Sequence, residues 1–418
     1  MDTSKSFTHR LFHLFSASAL LLLSTSASAL VQDITAKFTP DPANPLNNEF
    51  VNTTPETGIC AWHAPATPTC KALGIFTIRA PFIANSNGPI LANHEDPRQG
   101  AMWKMPSEWR EVDVIHRETG EVETVQVRIA GVGHRWGLDR PPGVSAWERP
   151  GIISWSNQWR QAPSPCAGIN YLAASTSFAL FFWIVPENAG VCSRQPGMDI
   201  PRFWYDTLEY AYAIKTPKPL TMSTGQYTGS INYTMGPGGD FDFGDVMIPT
   251  DNLFTFNFTL DVQHALKVEI PPGGNRVELL PQGGWQAWLN QGRKPTRLFR
   301  DQTFNISSSS RFKMGLECEI AGGGNTCLVR DTTSGHEVPL NVSVSLPNGL
   351  TDAAGQAVNR RPLLRDGSGT ELFQPGFYVD RKPGTLHFDI DREHVEQMLT
   401  GGAKTYSGNV TVAWDSEV

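Results

Sequence analysis

Two segments of the chain alternate apolar with polar residues and resemble each other. "GQYTGSINYTMG" begins at Gly225, and "KTYSGNVTVAWD" begins at Lys404. A period of two is typical of a half-buried β-strand. In the second segment it places four larger apolar side chains on one face: Tyr406, Val410, Val412 and Trp414. The shared Tyr-x-Gly pattern predicts two domains of similar late topology.

The composition favours strands joined by turns. The chain has 38 glycines and 31 prolines, with short β-branched and aromatic runs between them, and "DREHVEQMLTGG" is the best candidate for a short helix. The length is too great for one β-sandwich. We therefore predict an all-β fold with two immunoglobulin-like β-sandwich domains in tandem.

The two similar segments have different continuations. After the first copy, "LFTFNFTLDV" alternates again and predicts a closing strand, whereas the sequence after the second copy has no further strand pattern. The C-terminal domain is therefore expected to lack its closing strand. A strand from another chain would then cover the groove bordered by Tyr406, Val410, Val412 and Trp414. The alternative is that an earlier segment of the same domain covers this edge.

The start of the chain predicts export. Lys5, His9 and Arg10 precede the apolar residues 11–23, and the small residues Ala27 and Ala29 come after them. This pattern is typical of a secretory signal peptide, residues 1–29. The alternative is a membrane anchor, although the apolar run is shorter than the roughly 20 residues that a spanning helix needs.

Six cysteines fit an oxidising compartment. They lie in neighbouring pairs that are well separated from one another, which favours three local disulfides: Cys60–Cys70, Cys166–Cys192 and Cys318–Cys327. Zinc is the rival interpretation, but the usual Cys/His ligand spacing is missing from the sequence, so we predict no metal.

The charge balance argues against nucleic acid as a partner. The chain has 34 Lys+Arg against 41 Asp+Glu, and its basic residues do not form a dense stretch that would track a phosphate backbone.

The C-terminal part resembles a known family. The segments "FNFTLDVQHALKVEIPPGGNRVELLPQGG", "NGLTDAAGQAVN" and "TYSGNVTVAW" are similar to the tip subunits of alternative (class 5) chaperone–usher fimbriae. These include the colonisation factor antigen I tip adhesin and the CblD-like pilus biogenesis initiators. In the N-terminal part the likeness rests on the cysteine positions and the G-x-Y-T strand.

This resemblance implies a fimbrial tip adhesin that is not an enzyme and needs no cofactor. Residues 30–259 would form the receptor-binding adhesin domain and residues 260–418 a pilin domain. The pilin domain would accept a donor strand from a periplasmic chaperone and then from the major pilin. An outer-membrane usher would export the subunit to the fimbrium tip at the bacterial surface, where the adhesin domain binds a host-cell glycan or glycoprotein.

The receptor-binding residues of the family cannot be assigned in this chain, because the strand before the domain junction lacks the paired arginines that some relatives have. "GHRWGLDRPPG" and "ISWSNQWRQ" instead place arginine and tryptophan near turns, a combination suited to a sugar. The candidate receptor-binding residues are Arg135, Trp136, Trp155, Trp159 and Arg160. The alternative is that these tryptophans belong to the core of the domain.

Catalytic and metal signals are weak. "HFDIDREH" brings His387, Asp389 and Asp391 to one strand face like metal ligands, but a solvated strand face explains the pattern equally well. "GGDFDFGD" lacks the calcium-binding loop spacing and indicates a polar turn. The sequence has no G-x-S-x-G, H-E-x-x-H or P-loop motif.

Two other functions remain open. N-x-S/T triplets, for example at Asn52, Asn232 and Asn341, are compatible with a glycosylated eukaryotic surface protein. A secreted glycan-binding or carbohydrate-active β-sandwich protein is the third possibility. An enzyme of that kind would need a pair of carboxylates in one cleft.

Overall fold

The computed structural model describes residues 29–139, 145–147, 159–292, 294–402 and 404–416. The predicted signal segment, residues 1–29, lies outside this part except for Ala29. Within the described ranges, no helix is long and apolar enough to cross a membrane. The described chain consists mainly of strands and turns in two β-sandwich domains, which confirms the predicted all-β fold with two sandwiches in tandem.

The first domain is built on one large twisted sheet. Its strand order is β13-β4-β11-β7-β6-β12-β14-β1-β2, with β3 on β11, β9 on β7 and β8 on β9, while β5 and β10 pair separately. The strands are β1 Ala29–Phe38, β2 Val51–Asn52, β3 Thr77–Ala80, β4 Ala84–Ser86, β5 Ala101–Trp103, β6 Arg110–His116, β7 Val122–Leu138, β8 Ala167–Ser175, β9 Phe178–Ile184, β10 Cys192–Arg194, β11 Phe203–Lys215, β12 Gly225–Thr234, β13 Met247–Pro249 and β14 Leu253–Val262.

Two short helices cover part of the outer face of this sheet. They are α1 Ile59–Trp62 and α2 Thr67–Leu73, and single 3-10 turns occur at Pro97–Gln99 and Pro219–Thr221. The Cys60–Cys70 disulfide joins the two helices, and Phe182 and Ala211 of the sheet pack beneath them. The main core lies on the other side of the sheet and is rich in aromatic residues.

The second domain forms a smaller sandwich with its own core. One sheet has the order β15-β16-β23-β19-β18-β24 with β21 on β19, and β17 pairs with β25 and β20 with β22. The strands are β15 Leu266–Glu269, β16 Leu298–Ser308, β17 Lys313–Cys318, β18 Cys327–Asp331, β19 Glu337–Ser345, β20 Leu350–Asp352, β21 Arg361–Pro362, β22 Phe373–Pro375, β23 Val379–Ile390, β24 Tyr406–Ser407 and β25 Val410–Asp415; the helices are α3 Gly284–Gln291 and α4 Arg392–Met398.

All three predicted disulfides are present. The Cα atoms of Cys60–Cys70, Cys166–Cys192 and Cys318–Cys327 are 5.7, 5.9 and 5.3 Å apart. Each bridge closes a short loop inside one domain, as the spacing of the cysteines predicts. The predicted division at residues 259 and 260 falls within β14, because this strand pairs with β1 as far as Val262.

Candidate functional site

Strand β25 lies at the edge of the second sandwich. It pairs antiparallel with β17, where Val412 lies opposite Leu316 and Trp414 opposite Met314. Its side chains alternate between half-buried and exposed over residues 410–413, and Val410, Val412 and Trp414 pack against the core. Tyr406 of β24 packs on the same core, so the four residues that the sequence grouped on one face do share an inward face.

The segments around Gly229 and Gly408 resemble each other in structure as well as in sequence. Gly229 of β12 lies against β6, where a Cβ atom would stand 2.2 Å from the Asp113 carbonyl oxygen. Gly408 lies against β18, where a Cβ atom would stand 3.0 Å from the Leu328 carbonyl oxygen. In both copies glycine lets a neighbouring backbone approach closely, which explains the shared Tyr-x-Gly pattern.

In the first domain, the strand after this pattern closes the sheet. Strand β14 pairs antiparallel with β12 on one side and parallel with β1 on the other. Its inward side chains, Phe254, Phe256, Phe258 and Leu260, are all at most 1% exposed. The prediction that the first domain closes itself with Leu253–Val262 is therefore confirmed.

The second domain has two edge strands where the first has this closing strand. Among the residues that the structure describes, β25 pairs with β17 alone, and β15 pairs with β16 alone. The rings of Phe304 in β16 and Trp414 in β25 pack against each other, with centroids 5.6 Å apart. Each of the two edge strands therefore leaves one backbone edge unpaired within the described chain, and its inward side chains pack on the apolar core of the domain.

The apolar side chains beside β14 are more deeply buried than those on the edge strands β25 and β15 of the second domain. In the first domain, Tyr227 of β12 and Ile34 of β1, which flank the closing strand, are 0% and 2% exposed. In the second domain, the inward apolar side chains of the two edge strands are only half-buried: Leu266, Val268, Val410, Val412 and Trp414. An unpaired backbone edge beside half-buried apolar side chains is the arrangement to which an extended segment binds.

The polar atoms of Tyr406 and Trp414 differ in their hydrogen bonding. Tyr406 shares a hydrogen bond between its hydroxyl and Nδ1 of His336 at 2.9 Å, and burial, with a smaller contribution from Asp331, raises its pKa. The indole Nε1 of Trp414 is buried and has no hydrogen-bond partner in the described chain. A buried donor of this kind is costly to leave unpaired.

The sequence interpretation missed the second edge strand, β15. Leu266 and Val268 lie on β15, directly after the domain junction. The signal that would have found them is the alternation in "HALKVEI", which places the same two residues on one strand face.

Two of the predicted receptor-binding residues are core residues. Trp136 and Trp159 are both 0% exposed, and their rings lie 5.2 Å apart within a cluster that includes Trp103 and Trp183. The expectation that these two tryptophans face the solvent is therefore wrong. The physical reason is that the sheet face that carries Trp136 is covered by the rest of the sandwich.

The other three candidates lie in different surroundings. Arg135 points away from the core, with 48% of its side chain exposed, and forms an ion pair with Asp206. Arg160 is exposed. Trp155 lies outside the described residues. The structure thus does not bring the five candidates together on one surface, and a receptor-binding role for Arg135, Trp155 and Arg160 stays a prediction.

Comparison with known proteins gives matches in solved structures alone. No family model and no curated protein match the chain. The adhesive subunit CfaE of the CFA/I fimbria of enterotoxigenic Escherichia coli is 11% identical, and the alignment covers 93% of this chain and 92% of that chain with a TM-score of 0.24.

Two chaperone complexes also align with the chain. A chain from the CFA/I chaperone–tip adhesin complex is 10% identical over 94% of this chain and 97% of that chain, with a TM-score of 0.22. A chain from the CsuC–CsuE chaperone–tip subunit complex of the archaic Csu pili of Acinetobacter baumannii is 10% identical over 93% of this chain and 98% of that chain, with a TM-score of 0.21. These TM-scores are too low to place any residue of the present chain.

The acidic motifs are engaged in ion pairs and hydrogen bonds. His387 contacts Asp301 at 2.7 Å, and Asp391 accepts a hydrogen bond from Asn341 at 2.8 Å. Asp389 pairs with Arg297. In "GGDFDFGD", Asp240 pairs with Arg110, and Asp242 and Asp245 pair with Arg98. Within the described part of the chain, no group of three His, Cys, Asp or Glu side chains is arranged to hold a metal ion.

Proposed function

We propose that this chain is a tip adhesin of a chaperone–usher fimbria and the initiator of its assembly. Its first domain would bind a host-cell glycan or glycoprotein. Its second domain would receive a donor strand in the groove between β25 and β15. The observation that carries the proposal is the contrast between the domains: β14 is paired on both sides in the first domain, whereas β25 and β15 are each paired on one side alone among the described residues.

The first domain suggests how the donor strand would lie. Strand β14 runs antiparallel to β12, with Leu260 opposite Tyr227, Phe258 opposite Gly229 and Phe256 opposite Ile231. A donor that obeys the same rule would run antiparallel to β25. It would place an apolar residue at every second position, opposite the inward-facing residues Val410, Val412 and Trp414.

A fimbrial tip adhesin of this kind requires three protein partners for its assembly. A periplasmic chaperone would supply the first donor strand, and the major pilin would replace it during export through an outer-membrane usher. Secretion through the periplasm agrees with the predicted signal peptide and the three disulfides. The mature protein would be displayed at the fimbrium tip on the bacterial surface.

The donor-strand proposal is tested with a fused strand. The β14 sequence LFTFNFTLDV is attached after Val418 through a flexible linker as long as residues 235–252, which join β12 to β14. Tethering raises the local concentration of the strand to the millimolar range, so the fused chain is expected to be a stable monomer. The chain without the fusion is expected to aggregate. Size-exclusion chromatography and thermal unfolding measure both properties.

Two control variants show whether the groove is responsible. Replacing the three phenylalanines of the fused strand with aspartate keeps the tether but removes the apolar alternation, and it should abolish the rescue. Val412→Asp changes the acceptor strand β25 instead of the fused strand, and it should also abolish the rescue. An unfused chain that is already a monodisperse, cooperatively folding monomer without chaperone would show that the sheet is closed from within.

A further inference from the structure

A flat aromatic surface lies on the outer face of the first domain. Trp204 of β11 and Phe178 of β9 both lie opposite Gly137 of the strand between them, β7. Arg135 precedes Gly137 by two residues and therefore points to the same side of the sheet. Together with Asp206 and Arg202, these side chains form what we call the Trp204 platform.

Gly137 allows Trp204 to lie flat against the sheet. A Cβ atom at this position would stand 2.4 Å from both Cε2 and Cζ2 of the indole. Such a distance is far inside van der Waals contact, so any other residue would push the ring away from the strand. The indole is thereby packed against the backbone of β7, and the Trp204 side chain stays partly exposed.

Among the described residues, a loosely held cation lies over the ring. The guanidinium carbon of Arg202 lies 5.2 Å from the ring centroid. The Arg202 side chain is 62% exposed, and its ion pair with Asp139 spans 3.8 Å between two exposed groups. Since a weak surface pair restrains such a long side chain little, a ligand can replace Arg202 over the ring and receive hydrogen bonds from it.

Other tryptophans of this domain are covered more closely. Lys215 lies with its Nζ 4.0 Å from the ring centroid of Trp109, and Arg128 also faces that ring. Arg79 lies 4.6 Å from the ring centroid of Trp62 and is itself fixed by the buried carboxylate of Glu209. Trp204 therefore combines a rigid support with a more loosely held cation.

The polar groups beside the ring are arranged to bind hydroxyl groups. Asp206 pairs with Arg135 through Oδ2, while its other oxygen, Oδ1, is buried and has no hydrogen-bond partner among the described residues. The side chains of Asp206 and Arg135 are 29% and 48% exposed, so the carboxylate can accept a hydrogen bond from a ligand hydroxyl at Oδ2 and the guanidinium group can donate one beside it. Arg135 also lies over Phe178, with 5.5 Å between its guanidinium carbon and the ring centroid.

We propose that the Trp204 platform binds a pyranose ring of a neutral glycan. A pyranose presents apolar C–H groups on its face and hydroxyl groups at its rim, which matches a flat indole bordered by carboxylate and guanidinium groups. The ligand is neutral because Arg135 and Arg202 are balanced by Asp206 and Asp139. This inference rests on the proposed adhesin function and gives it a receptor class and a site.

The test uses the full chain on a printed array of neutral mammalian glycans that also carries the sialylated form of each glycan. We expect binding to neutral glycans and about tenfold weaker binding for Trp204→Ala, because the stacking surface is lost. Gly137→Ala should weaken binding similarly, although it removes no atom that touches the ligand. Trp285→Ala removes a tryptophan that is 37% exposed in the other domain and should bind like the unmodified chain.

Further measurements keep the result interpretable. Near-ultraviolet circular dichroism shows whether each variant is folded, and Asp206→Asn keeps the shape of the side chain while weakening its acceptor, so it should reduce binding without unfolding the domain. The proposal is overturned if the unmodified chain binds no neutral glycan, if it prefers the sialylated forms, or if folded Trp204→Ala or Asp206→Asn binds undiminished. The strand-fusion experiment does not depend on the platform, so either idea can fail while the other stands.

Discussion

His134 lies at the centre of the aromatic core of the first domain. Its side chain is almost completely buried and stacks on Tyr205, with ring centroids 4.5 Å apart. Its Nδ1–H donates a hydrogen bond to the Thr207 carbonyl oxygen at 2.6 Å. Burial lowers the pKa of His134 to about 3, and the bond to Thr207 opposes this shift only in part. The imidazole is therefore neutral in the folded protein at physiological pH.

The buried histidine predicts an acid-sensitive first domain. Between its ordinary pKa near 6.5 and the folded value of about 3, the unfolded chain binds a proton that the folded chain does not. The free energy of unfolding should therefore decrease as the pH falls through this window, by about 1.4 kcal/mol per pH unit for this group. Urea unfolding at several pH values, monitored by tryptophan fluorescence, measures the slope.

His134→Phe provides the comparison for that slope. The variant keeps an aromatic ring but cannot titrate, so its pH dependence below the ordinary histidine pKa of 6.5 should be shallower, even if the loss of the bond to Thr207 lowers its stability at neutral pH. Parallel slopes for the two proteins would mean that His134 does not contribute.

At the scale of elements, Gly229 fixes the approach of β12 to β6. A Cβ atom at this position would stand 2.2 Å from the Asp113 carbonyl oxygen and 3.0 Å from Cγ1 of Val114. The backbone carbonyl cannot move aside as a flexible side chain would. The close contact between these strands therefore depends on the missing side chain.

Gly229→Ala should consequently destabilise the first domain. We expect a loss of about 1–3 kcal/mol in the free energy of unfolding, because the strands must separate to admit a methyl group. Gly88→Ala is the matched control, since a Cβ atom there meets nothing within 4 Å. Chemical denaturation of both variants measures the difference, and equal stabilities would contradict the role of the close approach.

At the scale of the whole molecule, hydrogen bonds and an ion pair join the two domains among the described residues. His264 comes directly after β14 and bridges them, with Nε2 at 2.9 Å from the Met222 carbonyl oxygen and Nδ1 at 3.2 Å from the Ser309 hydroxyl. Arg311 reaches Glu121 at 4.0 Å, and the Tyr378 amide donates to the Pro45 carbonyl oxygen at 3.2 Å. The two main hydrophobic cores share no residue among those described.

Separate cores predict separate unfolding transitions. Nine of the twelve tryptophans precede Leu260, so tryptophan fluorescence should report mainly on the first domain, while calorimetry should record both transitions. The fused donor strand should raise only the transition of the second domain, because it binds to that domain alone. A single transition that shifts as a whole would show that the junction couples the domains strongly.

The sequence by itself determined the local features of this protein. Alternation of side chains is a property of the extended backbone, so "TYSGNVTVAW" predicted which side chains of β24 and β25 share a face without any knowledge of their neighbours. The close spacing of each cysteine pair likewise indicated short disulfide loops. The repeat around Gly229 and Gly408 indicated two similar domains, because the same backbone approach requires the same missing side chain.

Only the tertiary structure decided which faces are covered. "HRWG" predicts that Arg135 and Trp136 point to opposite sides, but the identity of the buried side depends on distant strands, and it made Trp136 and Trp159 core residues rather than surface ones. The indole of Trp204 lies on Gly137, far earlier in the chain, a contact that no local pattern reveals. The partners of β14, and the unpaired edges of β25 and β15 within the described chain, likewise depend on pairing between segments far apart in sequence, where burial and hydrogen bonding are decided by the fold as a whole.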